Sequence, residues 1–481
     1  MDKYKQTAVD AIEAKHEMIE AAADNIWSHP ELSLCEHYAC DMYCELLEKE
    51  GFDVKRNISG IETSFSASFG SGRPIIAITA EYDALSGLSQ KAFCTEKTPR
   101  DTGDTDSDAG HGCGHNLLGA GAFAAALGVK AYLEKYKESG TVILYGCPGE
   151  EGVASKAFFA RDGVWDDIDA ALSWHPNDCN EVAIGRSNAC IQYMYHFKGV
   201  AAHAAGNPDM GRSALDAVEL MNVGVQFLRE HMSSKARIHY AITNTGGMSP
   251  NVVQAEADVL YMVRCDKVSE ALKLQARVDK IAEGAALMTE TSLTKQFVDG
   301  LADTVPNQTI ERILYKNYKE LGVPEHNAEE IAFADSIIKS YETVGAAGSA
   351  SPYSPEYAEM VEEQRAGRSM NDFLLPYYEG DTFRPGSTDV GDVSWNTPTA
   401  QIHVAAWPNG CPGHSWQSTS SAGSSIGRKA CVHAGKVLAA AAVELMRSPE
   451  VLKEARAEFE KRTKEGYNCP IPKGAVAKAV V

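Results

Sequence analysis

Residues 110–121 read GHGCGHNLLGAG, with His111, Cys113 and His115 at alternate positions, single glycines between them, and small apolar residues straight after. Glycine lets backbone pass where a side chain would block it, so the spacing suits soft donor atoms crowded against something bulky or charged, a metal ion above all. A glycine-rich turn with one buried thiol and two hydrogen-bonded imidazoles would look the same locally. The flanking segments carry more. Residues 116–140, NLLGAGAFAAALGVKAYLEKYKESG, have the Ala and Gly content of a helix packed tightly on a sheet, with Gly140 as its expected stop. RPIIAITAEYDAL (73–85) precedes that helix and TVILYGCPGEEG (141–152) follows it; DAALSWHP (169–176) and QIHVAAWPNGCPGH (401–414) repeat the type. All four are apolar runs of buried parallel strands, and each ends in a loop bearing metal-binding or acid-base residues. The alternation predicts an α/β fold, a mostly parallel sheet with helices on both faces and ligands gathered beyond the carboxyl ends of its strands.

Between about residues 188 and 305 the pattern changes. GRSALDAVELMNVGVQFLREHM (211–232) places Ala214, Ala217, Val218, Met221, Val225 and Leu228 on one helical stripe, with Ser213 and Asp216 as a capping pair. VQAEADVLYMVR (253–264) alternates Val253, Ala255, Ala257, Val259, Tyr261 and Val263 against a more polar face, as a strand covered on one side does. The expected organisation is a first catalytic part (1–187), an inserted smaller α+β domain (188–305) and a second catalytic part (306–481). Within the last, TVGAAGSASPYSPEY (343–357) reads as a long surface loop.

With 481 residues and 44% hydrophobic content the chain can bury a substantial core. Sixty-six acidic against 45 basic residues give a formal charge of −21, which disfavours nucleic acid or an anionic membrane as partner. Any anionic substrate then has to be held by local cations. The N-terminal residues 1–27 alternate charged and apolar positions at helical spacing, and no segment is expected to cross a membrane. Twelve scattered cysteines without a Cys-x-x-Cys pair read as free thiols, and the expected location is cytoplasmic.

The donors at the strand ends are Cys113, His115, Glu150, Glu151, His175 and His414. Each alone has an ordinary reading: an exposed acidic pair, a histidine capping a carbonyl, a histidine in a Pro/Gly turn. Their shared placement at one rim suggests a metal centre. Cys113, His115, Glu151, His175 and His414 are one ligand too many for a single tetrahedral ion. Two four-coordinate ions need eight bonds, which five ligands supply if the thiolate and a water both bridge. Such a pair polarises a carbonyl and acidifies the water between the ions. If Glu151 coordinates, Glu150 can face that water, take its proton and return it to a leaving nitrogen.

The motifs EYDALSGLSQ, GHGCGHNLLG, YGCPGEEG, WHP, AAHAA, GRSALDAV, HYAITN, SPNVVQA, STDVGDVSW and CPIPK follow one another along essentially the whole chain. In this order they resemble the aminoacylase, hippurate hydrolase and indole-acetyl-amino-acid hydrolase group of co-catalytic metallopeptidases. The resemblance implies metal ligands at Cys113, His115, Glu151, His175 and His414, a general base at Glu150, and an acidic residue orienting the ligands at Asp83. It implies substrate contacts from His203, Asn251 and Arg264 in the inserted segment, His203 from a partner subunit. His111 matches no ligand position and reads as structural; Glu81 stands where distant relatives have histidine; Asp389 and Asp392 read as carboxylates behind the site. The implied activity is hydrolysis of N-acyl or N-aroyl amino acids with two divalent ions per chain, zinc or manganese. A homodimer, or a hetero-oligomer with a related subunit, is the implied assembly. A dipeptidase, another aromatic-amide hydrolase and a non-catalytic partner subunit are the alternative roles.

Overall fold

The computed structural model describes residues 1–100, 108–341, 354–380, 382–384 and 386–479. The strands in chain order are β1 (Asp53–Arg56), β2 (Phe65–Ser71), β3 (Ile75–Ala80), β4 (Gly140–Gly146), β5 (Ala170–Asn177), β6 (Glu181–Ala183), β7 (Ala189–Lys198), β8 (Arg237–Asn244), β9 (Glu256–Cys265), β10 (Ser292–Leu301) and β11 (Thr399–Ala405). They form a seven-stranded sheet, β1-β2-β4-β3-β5-β11-β6, and a four-stranded sheet, β10-β7-β9-β8. The four apolar runs are the parallel centre of the larger sheet: β3 pairs in parallel with β4 and β5, and β5 with β11. Their carboxyl ends therefore share one rim. The antiparallel β1, β2 and β6 flank this centre and have no counterpart among the strands expected from sequence.

Side chains of a strand alternate between faces, and the core follows that rule. Ile76 and Ile78 of β3 and Leu172 and Trp174 of β5 join one apolar cluster with the His115–Tyr136 and Ser425–Met446 helices. Ala77 and Ala171, on the other face, join a second cluster with Phe158 and Phe159 of the Ser155–Arg161 helix. The small residues of the His115–Tyr136 helix permit its close approach: a Cβ on Gly121 would lie 2.6 Å from Nε1 of Trp174. By length and hydropathy this helix could cross a membrane, contrary to expectation, but 89% of its apolar window is buried within the protein. It ends at Tyr136, not Gly140, because Lys137 itself takes the left-handed conformation (φ 53°) that closes the last turn onto Leu133.

The four-stranded sheet is wholly antiparallel, and its strands fall between residues 189 and 301. The Ala214–Leu228 helix buries all six residues of the expected stripe, and Ser213 Oγ accepts from Asp216 N at 3.0 Å. With the Val268–Thr289 helix it covers the face carrying Ala257, Val259, Tyr261 and Val263. β9 starts at Glu256, three residues later than the alternation suggested. The expected loop at 343–357 lies outside the described residues up to 353; its end is instead helical, since Ser354 caps the Pro355–Arg365 helix and proline suits a first helical turn.

Candidate active site

The glycines of the 110–115 segment have separate uses. Gly114 takes φ +75° just before the helix starts at His115, and a Cβ there would lie 2.9 Å from the Trp407 ring and 3.1 Å from Pro176. This close approach brings Cys113 and His115 against the end of β5. His111 is spent elsewhere: its Nε2–H donates to the Ile26 carbonyl at 3.0 Å, and burial holds its pKa down to about 3.

Cys113, His115 and His175 bring one donor atom each within 4.8 Å of one another, and so do Cys113, Glu151 and His414. Cys113 belongs to both groups, so its one thiolate could serve two ions. Cys113 Sγ lies 3.4 Å from His175 Nε2, while His175 Nδ1–H donates to the Pro176 carbonyl at 2.6 Å. His115 Nδ1 is 2.8 Å from Asp83 Oδ1, which leaves a buried Nε2 without a hydrogen-bond partner. Glu151 Oε1 lies 3.2 Å from His414 Nε2 but is likewise unsatisfied as a hydrogen-bond acceptor. An orphaned imidazole nitrogen, a thiol and an orphaned carboxylate oxygen, all converging, are the donor chemistry of a divalent metal site. The residues fit two ions.

Asp83 organises this group. Burial raises its pKa, but the His115 ring and hydrogen bonds from His115, Glu151 N (3.0 Å) and Ser33 Oγ (2.9 Å) hold it down to about 2. It therefore fixes both the His115 tautomer and the Glu151 backbone, as carboxylates behind metal-bound histidines do. Burial, with neighbouring Glu81 and Glu151, raises the pKa of Glu150.

Glu81, His115 and Glu150 form a third converging group. Glu81 Oε2 is 3.4 Å from His115 Nε2, and its Oε1 is 2.7 Å from Lys156 Nζ. Lys156, wholly buried, also lies 2.6 Å from Asp389 Oδ1 and donates its backbone N–H to Asp389 Oδ2 at 3.0 Å. Sequence reasoning misses Lys156, which in SKAFFAR looks like an ordinary solvated helix residue. It misses Glu36 too, which accepts Gly149 N at 2.8 Å and Thr63 Oγ1 at 3.0 Å and so holds the turn before Glu150. Asp389 thus stands behind Glu81 through Lys156. Asp392 points its bonds elsewhere, accepting from Tyr467 Oη (2.6 Å) and Ala302 N (2.9 Å).

A cavity of about 320 Å³ opens on Cys113, Glu150, Glu151, His175 and His414. Its lining also includes Arg186, Glu311 and Arg384. Arg264 reaches the lining indirectly, donating to Ser387 Oγ at 3.1 Å. His203 and Asn251 do not line the cavity. They sit together on exposed loops of the second sheet, joined by Ala204 N donating to Asn251 O, with His203 Nδ1 accepting from Ala205 N and Gly206 N.

A mostly parallel sheet whose carboxyl rim gathers a shared thiol, imidazoles and paired carboxylates defines a metal-dependent hydrolase. Residues 77–363 match the model of peptidase family M20/M25/M40, and the chain belongs to that family. It is 45% identical to one of the subunits of p-aminobenzoyl-glutamate hydrolase from Escherichia coli (strain K12), over 96% of both chains. It is 26% identical to Xaa-Arg dipeptidase of Mus musculus, over 97% of this chain and 94% of the relative. A Bacillus subtilis YXEP protein, described as a dinuclear metal binding peptidase, shares the fold at a TM-score of 0.55 and 16% identity, over 90% of this chain and 99% of its own.

Proposed function

We propose that the protein hydrolyses the amide bond of N-acyl or N-aroyl amino acids, compounds of the p-aminobenzoyl-glutamate kind, and releases the free amino acid. The observation that carries this reading is Cys113 shared between two donor groups, with Glu150 in a third that converges on the same His115. Zinc suits the thiolate and manganese the carboxylates and imidazoles; Cys113, His115, His175, Glu151 and His414 would hold the pair. When bound, such ions supply Lewis acidity at the scissile carbonyl and an acidified water.

The chain's own residues do the rest. Asp83 keeps the proton on His115 Nδ1, so that Nε2 is presented as a donor. Glu150 accepts a proton from the attacking water on a carboxylate oxygen and returns it to the leaving nitrogen. Arg264 grips the carboxylate of the released amino acid together with Asn251 of a second subunit, and His203 of that same second subunit stabilises the oxyanion.

The exposed positions of His203 and Asn251 support a site completed by a partner. So does the outer face of the Ala214–Leu228 helix, where Leu220, Val223 and Phe227 are 37%, 50% and 69% exposed. We take residues 188–305 as the assembling domain in a homodimer, with pairing to a related subunit as the other arrangement, and the twelve free cysteines as fitting a cytoplasmic enzyme. The test is metal content and turnover on N-benzoyl amino acids before and after chelation. Full activity after exhaustive metal removal would sink the proposal.

A further inference from the structure

The cavity that opens on the donor cluster is also lined by two arginines, Arg186 and Arg384. Arg384 Nη2 lies 2.9 Å from Glu181 Oε1, and the same carboxylate oxygen is 2.8 Å from His403 Nδ1. Cys179, Glu181 and His403 resemble a cation site in their convergence, but the Arg384 guanidinium already occupies the charge of Glu181. Arg186 is different. Among the described residues its side chain makes no hydrogen bond or ion pair, and its Nε is shut off from solvent without a partner. Asp303 is within electrostatic reach of Arg186, yet its Oδ1 accepts from Val268 N at 2.9 Å.

The backbone that presents Arg186 is clamped on both sides. Arg186 N donates to Thr382 O and Arg384 N donates to Arg186 O, each at 2.8 Å. Ser187 N donates to Thr304 Oγ1 at 2.7 Å, and Thr304 N donates back to Ser187 Oγ at 3.3 Å. Gly185 takes φ +85°, and a Cβ on it would meet Thr382 Oγ1 at 2.1 Å. A guanidinium with a desolvated N–H, held on the pinned connection between β6 and β7, is costly unless a ligand completes it. Glu311, another acidic residue of the lining, is pushed up to about 7 by burial, so it is only partly ionised near neutral pH.

We infer that Arg186 is the specificity-determining subsite for a second carboxylate, the side-chain carboxylate of the amino acid being released, and so the residue that favours amides of acidic over neutral amino acids. The inference rests on the hydrolase reading above and adds to it the residue that selects the side chain. In a chain of formal charge −21, a dicarboxylate has to be met by a local cation, and planar guanidinium is the group that matches a carboxylate in two bonds. An arginine side chain in the same place would meet a like charge.

The test compares N-benzoyl-L-glutamate, N-benzoyl-L-glutamine and N-benzoyl-L-arginine on the metal-loaded full-length protein. Calorimetric binding of free L-glutamate and L-glutamine is measured alongside. Glutamate should exceed glutamine by about 10- to 100-fold in kcat/KM and in affinity, the worth of a hydrogen-bonded charge pair. Arg186→Gln should bring both ratios close to unity, and Arg186→Lys, which keeps the charge without the fork, should keep part of them. Equal handling of glutamate and glutamine by the unsubstituted protein, a preference for arginine, or ratios untouched by Arg186→Gln would overturn the inference. Equal losses on glutamate and glutamine would also overturn it, since Arg186 would then grip the carboxylate common to both. If no amide is cleaved with any metal, the hydrolase reading fails, and the glutamate–glutamine binding difference alone decides the subsite. If Arg186→Gln does not fold, the Arg186→Lys ratios decide.

Discussion

The rim of the large sheet and the loops of the second sheet both carry residues assigned to one reaction, yet they are built in opposite ways. At the rim, the deeper donors are oriented from within the chain: Asp83 fixes His115, the Pro176 carbonyl fixes His175, and Lys156 ties Glu81 to Asp389. On the second sheet, His203 and Asn251 are exposed and bond only to nearby backbone. A metal site has to be preorganised before its ions arrive, because its like charges repel one another without them. Groups that meet substrate from a second subunit need no such local support. The rim should therefore behave as a self-sufficient unit, and the loops as half of a shared one.

The sharpest break between the two regions is at Glu150. Glu150→Gln keeps the size of the side chain and removes the base, so turnover should fall by about 100- to 10,000-fold while metal content stays constant. Loss of metal instead would mean that Glu150 and Glu151 have exchanged roles. Cys113→Ala, by contrast, should lose metal along with activity, because Cys113 belongs to both donor groups.

Lys156 sharpens the same side of the comparison. Lys156→Met leaves Glu81 and Asp389 buried without their shared cation, which costs about 3–5 kcal/mol when one partner of a buried pair is removed. Thermal or urea unfolding of the metal-free protein measures it. A change below about 1 kcal/mol would show that Lys156 is not the group holding the rim together.

These residues also mark how far the sequence could be read. The parallel centre of the sheet was legible because β3, β4, β5 and β11 are apolar runs that end in polar loops, and the donors were legible because His, Cys and Glu residues recur in those loops at one rim. β2, FSASFGS, does alternate, but only two of its residues are large and apolar among serines and a glycine, and β6, at three residues, is too short to leave a pattern. Lys156 and Arg186 were invisible for a different reason. A lysine on a helix and an arginine in AIGRSNAC have the composition of surface residues, and only the tertiary fold makes one buried and leaves the other without a partner. Glu36 acts over more than a hundred residues of separation on Gly149, a contact that no local spacing encodes.

The other side of the comparison can be broken by mixing. His203→Ala chains and Glu150→Gln chains should each be nearly inactive, but a heterodimer contains one site with an intact Glu150 and an intact His203 from its neighbour. With free exchange half of the dimers are mixed and each has one complete site, so activity should return to about a quarter of the unsubstituted value. Exchange is checked with two differently tagged chains. Inactive verified heterodimers would mean that His203 serves its own chain or none.

The smallest effect on the folded chain, and the most specific for assembly, is expected at Phe227. Leu220, Val223 and Phe227 lie on the outer side of a helix whose inner stripe is already buried, so a substitution there removes no core contact. Phe227→Asp should change the unfolding free energy by no more than about 0.5 kcal/mol, as exposed positions generally do. The same substitution places a charge on this apolar patch, where burying it against a second copy is costly unless it finds a partner. Sedimentation should therefore show dimer giving way to monomer at concentrations where the unsubstituted protein stays paired, and turnover should fall with the dimer fraction while metal content is retained. A variant that remains dimeric and fully active would remove this helix face from the interface and leave the exposed loops of His203 and Asn251 to be completed by some other surface.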